Sequence, residues 1–274
     1  NSGYDLKQIF IGAEGTLGII TEVTFQCVSQ PKNAIVALLN PPSFTAVPKL
    51  LATLKQASFD ILAFEYFDKI CAKAVLSAIP QLKYPFSEIS EHHVLIEIDC
   101  SDLEALQTCL MTCTEENLIL DACFAEDSTT KRQFWLMREG ISDSVYLTGN
   151  VHANDVSVPV ALVEKFLDEL SVLFNQSYGH LTLAVFGHIG DGNLHIYLVD
   201  ESRHASFEQT CKDLDLKMFV LIESLEGSIS AEHGIGLLKR DALKFRRSEK
   251  EIQIMRQLKA VFDPLGILNP HKIF

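Results

Sequence analysis

Phe186-Gly187-His188-Ile189-Gly190-Asp191-Gly192-Asn193-Leu194-His195 is the stretch on which the fold of this 274-residue chain turns. Two histidines seven apart would share a helix face, but Gly190 and Gly192 each disfavour a helix by about 1 kcal/mol relative to alanine. Asp191-Gly192 is instead a preferred two-residue turn of a β-hairpin. That reading predicts Gly190 opposite Asn193, Ile189 opposite Leu194 and His188 opposite His195. Directly opposed side chains on antiparallel strands have Cβ atoms about 4.5–5.5 Å apart, close enough for two imidazoles to share one ion.

Working outward, apolar, β-branched or aromatic runs at 34–39, 61–67, 94–99 and 118–124 have the length of buried strands. Helical patterns separate them at 43–58, 68–79 and 101–117, the last opened by a capping box of Ser101 and Glu104. A helix at 128–146, a strand at 155–158, a helix at 159–175, the hairpin within 181–199 and a long helix at 206–226 follow. A final helix at 248–262 opens on a second box, Ser248 and Glu251, and stops at Asp263-Pro264. This order predicts an α+β fold, a largely antiparallel sheet covered by helices on one side. Upstream, 9–11 and 18–25 read as extended runs joined by the glycine-rich turn Gly12-Ala13-Glu14-Gly15-Thr16-Leu17-Gly18.

Composition narrows the function. The chain carries 36 Asp plus Glu against 23 Lys plus Arg, a formal charge of −13. Its long-range field repels phosphates, which argues against nucleic acid or anionic lipid as the main partner. No apolar run approaches the roughly 18 residues that span a bilayer. Seven cysteines without framework spacing suit a reducing compartment. Asn1-Ser2-Gly3-Tyr4 reads as the middle of something longer, with any targeting segment out of view.

One ion needs more than two imidazoles. Ser228-Ile229-Ser230-Ala231-Glu232-His233-Gly234-Ile235-Gly236 adds a carboxylate beside a third histidine among small residues. His188, His195 and Glu232, with a vacant position, match the ligand set of a catalytic zinc site. The plainer alternative is that each is a core or turn histidine. The cluster Lys239, Arg240, Lys244, Arg246, Arg247 and Lys250 reads as a solvated basic stretch.

Residues 1–24, 186–195, 230–236 and 263–274 together resemble the FAD-linked oxidases of the vanillyl-alcohol-oxidase type, in the D-2-hydroxyacid dehydrogenase branch that includes D-lactate and D-2-hydroxyglutarate dehydrogenases. The resemblance implies that residues 1–30 end an FAD-binding domain, that 31–245 form a substrate-binding cap, and that 246–274 return to the flavin side. It implies FAD beside Gly15, Thr16, Gly18, Ile20 and Asn269, and Zn2+ or another divalent metal on His188, His195 and Glu232. His233 then stands beside the substrate hydroxyl as the catalytic base, Arg138 clamps a carboxylate, and Ser142 supplies a hydroxyl where the hydroxyglutarate enzymes have Thr. Two positions depart from that branch: Ala153 replaces a lysine and Tyr197 an asparagine, which favours lactate or a bulkier hydroxy acid stacking on Tyr197 as much as hydroxyglutarate.

The implied reaction oxidises a small D-2-hydroxy acid to the 2-oxo acid, with hydride passing to flavin and then to a quinone, cytochrome or electron-transfer flavoprotein. A homodimer is allowed, and the compartment is the cytoplasm of a bacterium or the mitochondrial matrix of a eukaryote. Two rivals stand beside it: a zinc hydrolase, and a catalytically inactive metal-binding fragment without the flavin domain.

Overall fold

The computed structural model describes residues 2–274. Seven strands, β1 (Ala34–Asn40), β2 (Asp60–Asp68), β3 (His92–Asp99), β4 (Asp121–Phe124), β5 (Asn150–Ser157), β6 (Thr182–His188) and β7 (Asn193–Asp200), form one sheet in the order β4-β1-β3-β2-β6-β7-β5. Every neighbouring pair is antiparallel, so the expected α+β architecture stands. Eight helices accompany it: α1 (Ala46–Gln56), α2 (Lys69–Ala78), α3 (Leu103–Glu115), α4 (Ser128–Glu139), α5 (Ile141–Tyr146), α6 (Val163–Ser177), α7 (Phe207–Ser224) and α8 (Glu249–Phe262). None is long and apolar enough to cross a membrane.

The helices cover both faces of the sheet, where the sequence reading placed them on one. Along β1 the side chains alternate: Ala37 and Leu39 join a core with Leu50 of α1, Leu106 of α3 and Phe166 of α6, whereas Val36 and Leu38 join a second core with Val75 of α2, Phe134 of α4 and Val145 of α5. A strand apolar in every position needs a cover on each side. Each fully buried leucine or phenylalanine there contributes about 2 kcal/mol relative to exposure.

Local chemistry sets the element ends. The Ser248 and Glu251 box caps α8 as expected, but α3 is capped by Asp102, whose carboxylate accepts from the Ala105 amide, and not by Ser101. The single helix expected over 128–146 divides at Gly140, where a Cβ would lie 2.8 Å from the Leu136 carbonyl oxygen. The division brings Arg138, at the end of α4, and Ser142, on α5, to the same face of the sheet.

Of the extended runs expected at 9–11 and 18–25, the first is turn and the second is not paired into a strand. Leu6–Ile9 is a single 3₁₀ turn, and no strand occurs among the described residues before Ala34. Ile19, Val23, Phe25 and Val28 are exposed. A strand needs a neighbouring backbone to take its N–H and C=O groups, and no strand described here pairs with this segment.

Candidate metal centre

The hairpin forms, but two residues out of the expected register. His195 lies opposite Phe186, not His188, and the connection has four residues, with the Asp191 amide donating to His188 O at 3.2 Å and the Gly192 amide to Ile189 O at 3.3 Å. Gly192 has φ +81°, and a Cβ there would fall 2.1 Å from the Val158 carbonyl oxygen, so this turn position admits only glycine. Side chains alternate with period two, so a two-residue slip leaves both histidines on one face. Their ring centroids are 5.6 Å apart, a diagonal pair in place of an opposed one.

The expected third ligand, Glu232, lies on a loop pinned by carboxylates. Asp155 on β5 is the direct cross-strand partner of His195. Its Oδ2 accepts from the amides of Ala231 at 3.0 Å, Glu232 at 2.7 Å and His233 at 3.0 Å. Glu14, from the glycine-rich turn, accepts from the amides of Ile235 at 2.6 Å and Gly236 at 2.8 Å. Lys239 reaches the carbonyl oxygens of Asp155 at 3.0 Å and Ile229 at 2.6 Å, so it is a structural cation, not part of a solvated basic stretch, and burial lowers its pKa.

This scaffold places Glu232 Oε1 3.7 Å from His188 Nε2. One ligand atom each from His188, His195 and Glu232 lies within 4.8 Å of the others, and the same holds for Asp155, Glu232 and His233. A tetrahedral ion with bonds of about 2.1 Å holds its ligand atoms about 3.4 Å apart, a closure within reach of small side-chain rotations. A cleft of about 420 Å³, lined in part by Glu65, His188, Gly190, Asp191 and Glu232, opens beside the cluster.

Electrostatics suit a cation. Burial, then the nearby Arg138 charge, push His195 down to about 4, which keeps it neutral as a ligand must be. A hydrogen bond from Nδ1 to Glu65 Oε1 at 2.8 Å raises His188 against the opposing effect of burial. Burial would raise Asp155, but the Glu232 and His233 amides and the neighbouring imidazoles outweigh it, so its net pKa is lowered. Asp155 Oδ1 is buried without a hydrogen bond, 3.8 Å from His195 Nδ1. The donor set and this orphaned oxygen fit a divalent cation.

The expected substrate residues gather on the same face. The Arg138 guanidinium lies 5.1 Å from the centroid of the Phe186 ring, which also packs against His195 and Tyr197. Arg138 is buried and already engaged: Nε donates to Glu65 Oε2 at 3.0 Å, while Nη2, 2.9 Å from that oxygen, makes no hydrogen bond. Ser142 Oγ and Tyr197 Oη are 3.0 Å apart, and Ala153 is the cross-strand partner of Tyr197. His233 is exposed, with its ring centroid 6.3 Å from that of His195.

The expected flavin-side residues converge in part. Asn269 donates to the Glu14 carbonyl oxygen and packs beside Gly15, which has φ +73°. Thr16 is buried and spends its hydroxyl on the Ala13 carbonyl oxygen at 2.6 Å, Gly18 packs under the Phe10 ring, and Ile20 is exposed. Glu65, Asp155, Glu14 and Lys239 escaped the sequence reading. For the first two a signal existed: a lone carboxylate inside the apolar run Leu62-Ala63-Phe64-Glu65-Tyr66-Phe67, and another beside Val156 within a strand.

The chain is 37% identical over 279 residues to a D-2-hydroxyglutarate dehydrogenase of Stutzerimonas stutzeri, covering 100% of this chain and 59% of that protein. It is 36% identical to the mitochondrial D-2-hydroxyglutarate dehydrogenase of Bos taurus, covering 100% and 50%. The chain thus spans about half the length of the curated relatives it matches. The solved 4-ethylphenol oxidase from Gulosibacter chungangensis shares the fold, with a TM-score of 0.65 at 14% identity over 100% of this chain and 59% of that one. Residues 30–273 match the family model described as FAD linked oxidases, C-terminal domain, and the chain belongs to that family.

Proposed function

We propose that this chain is the substrate-binding cap of a metal-assisted, FAD-dependent dehydrogenase that oxidises a D-2-hydroxy acid to the 2-oxo acid, with residues 1–30 belonging to the flavin-binding part and 246–274 returning to it. The observation that carries this reading is the cluster of His188, His195 and Glu232, with ligand atoms within 4.8 Å, on the face that also holds Arg138. The names of the relatives support the oxidation and leave a zinc hydrolase without support.

When bound, the divalent cation, zinc or another, supplies Lewis acidity at the substrate hydroxyl and FAD supplies the hydride acceptor. His188, His195 and Glu232 would hold the cation, and Gly15, Thr16, Gly18, Ile20 and Asn269 would form the flavin side. His233 takes the hydroxyl proton as general base, a role typically worth about 10²–10⁴ in rate. Arg138, buried and paired with Glu65, supplies the positive charge that faces the substrate carboxylate. Ser142 and Tyr197 bound the far end of the substrate. The names of the relatives favour D-2-hydroxyglutarate, whereas Ala153 and the Tyr197–Ser142 hydroxyl pair favour an acid with an uncharged far end, such as D-lactate.

The test uses the intact protein that carries this chain. Flavin absorbance is expected to bleach with a D-2-hydroxy acid, in a screen of D-lactate, D-malate, D-2-hydroxyglutarate and aromatic 2-hydroxy acids. His188→Ala is expected to lose metal and turnover together while keeping its flavin. Turnover retained without metal contradicts the metal role, and equal oxidation of the L-acids contradicts the handedness.

A further inference from the structure

Glu65 is a charge in an apolar setting. It lies on β2, at the middle of the sheet, with Leu95 of β3 on one side and His188 of β6 on the other as its cross-strand partners. Its side chain is 8% exposed. A carboxylate taken out of water this far is strongly disfavoured unless it is paired and hydrogen-bonded. Both of its oxygens are in use, and they serve different neighbours: Oε2 accepts from Arg138 Nε at 3.0 Å, and Oε1 lies 2.8 Å from His188 Nδ1.

The pairing with Arg138 assigns the donor and acceptor roles. An ionised carboxylate only accepts, so His188 Nδ1 carries the proton of this bond. The neutral imidazole then has its lone pair on Nε2, the nitrogen that stands 3.7 Å from Glu232 Oε1. Arg138 cannot accept, so whatever occupies position 65 must turn an acceptor toward it.

We propose that Glu65 is a positioning residue that fixes His188 as its Nδ1–H tautomer and aims Nε2 at the point shared with His195 and Glu232, with Arg138 holding the carboxylate in place. This rests on the proposed metal site. It also gives Arg138 a second task besides meeting substrate, because one carboxylate ties the guanidinium to the metal-binding imidazole.

The isosteric Glu65→Gln substitution separates this from simple packing. Glutamine has one acceptor and one donor end. With Arg138 claiming the oxygen, the amide NH₂ faces His188 Nδ1, the ring is driven to the Nε2–H tautomer, and the lone pair leaves the metal point. Adding Arg138→Met removes the competing donor and lets the amide turn over, so the oxygen again faces His188. The experiment is a titration of the chain with Co2+ alone, read by its visible absorption, with thermal melting of each variant alongside. Glu65→Gln is expected to weaken Co2+ binding about 10–100-fold, the usual effect of losing a carboxylate behind a ligand histidine, and the Glu65→Gln/Arg138→Met double variant is expected to recover most of it. Wild-type affinity in Glu65→Gln, or no recovery in the double variant, overturns the proposal. A wild-type chain that binds no Co2+ overturns the metal site itself and the proposal with it, a result distinguishable from the first two. If Glu65→Gln does not fold, ¹⁵N NMR of His188 in the metal-free wild-type chain decides the matter: a protonated Nδ1 supports the proposal and a protonated Nε2 in a neutral ring overturns it.

Discussion

His93 and His195 occupy matching positions in the two halves of the sheet. Each is the direct cross-strand partner of a phenylalanine, His93 of Phe67 and His195 of Phe186, with ring centroids 4.7 Å and 4.8 Å apart. Burial pushes both imidazoles down to about 4. They part at the nitrogens. His93 is satisfied on both sides, with Nδ1 donating to the Phe67 carbonyl oxygen at 3.3 Å and Nε2 accepting from Tyr84 Oη at 2.8 Å. No side-chain hydrogen bond of His195 occurs among the described residues, and the orphaned Asp155 Oδ1 is 3.8 Å from its Nδ1. Burial and stacking therefore do not single out a candidate ligand; what sets His195 apart is an imidazole short of partners beside a second imidazole and a carboxylate.

Substituting the two histidines in parallel tests that contrast hardest. His195→Ala is expected to lower metal affinity by more than the roughly 100-fold that an outer partner commands and to bring turnover in the intact protein to background, whereas His93→Ala leaves metal binding in place. Equal metal loss in both, measured by metal analysis after dialysis, would erase the distinction. His233→Gln is expected to keep the metal and lower kcat by about 10²–10⁴; a change in KM alone contradicts its role as base.

The remaining tests concern stability. His93→Ala strands the Tyr84 hydroxyl and the Phe67 carbonyl and is expected to cost about 3 kcal/mol, read by denaturant unfolding. A smaller effect is expected in the pH dependence. His93 binds its proton near pH 4 folded and near 6.5 unfolded, so between those values the unfolded state holds more protons and stability rises with pH. Asp68 opposes this: burial raises it to about 6, although the Cys71 and Val185 amides bind its carboxylate, so stability falls as pH rises from about 4 to 6. His93→Gln is accordingly expected to make the slope over pH 4–6.5 less positive; an unchanged slope assigns it to other groups.

Much of this was legible in the sequence. Strand runs such as 34–39 and 61–67, and the box at Ser248, needed only periodicity and capping rules. His188 and His195 come together despite a wrong register, because a slip of two residues conserves the face. What escaped was set by long-range pairing: Glu65 meets Arg138 and His188, 73 and 123 residues away in sequence, and Asp155 meets a loop 76 to 78 residues on. The exposed strip at Ile19–Val28 has a strand-like pattern and no partner strand among the described residues. Both faces of the sheet are covered because β1 is apolar at consecutive positions, a feature present in the sequence but read as ordinary burial.

The proposed metal point is tested most directly by crystallising the chain with zinc and recording anomalous scattering above and below the zinc edge. One peak within bonding distance of His188 Nε2, His195 and Glu232 is the expected result. No peak there, or zinc held by other side chains while these three stay apart, contradicts it.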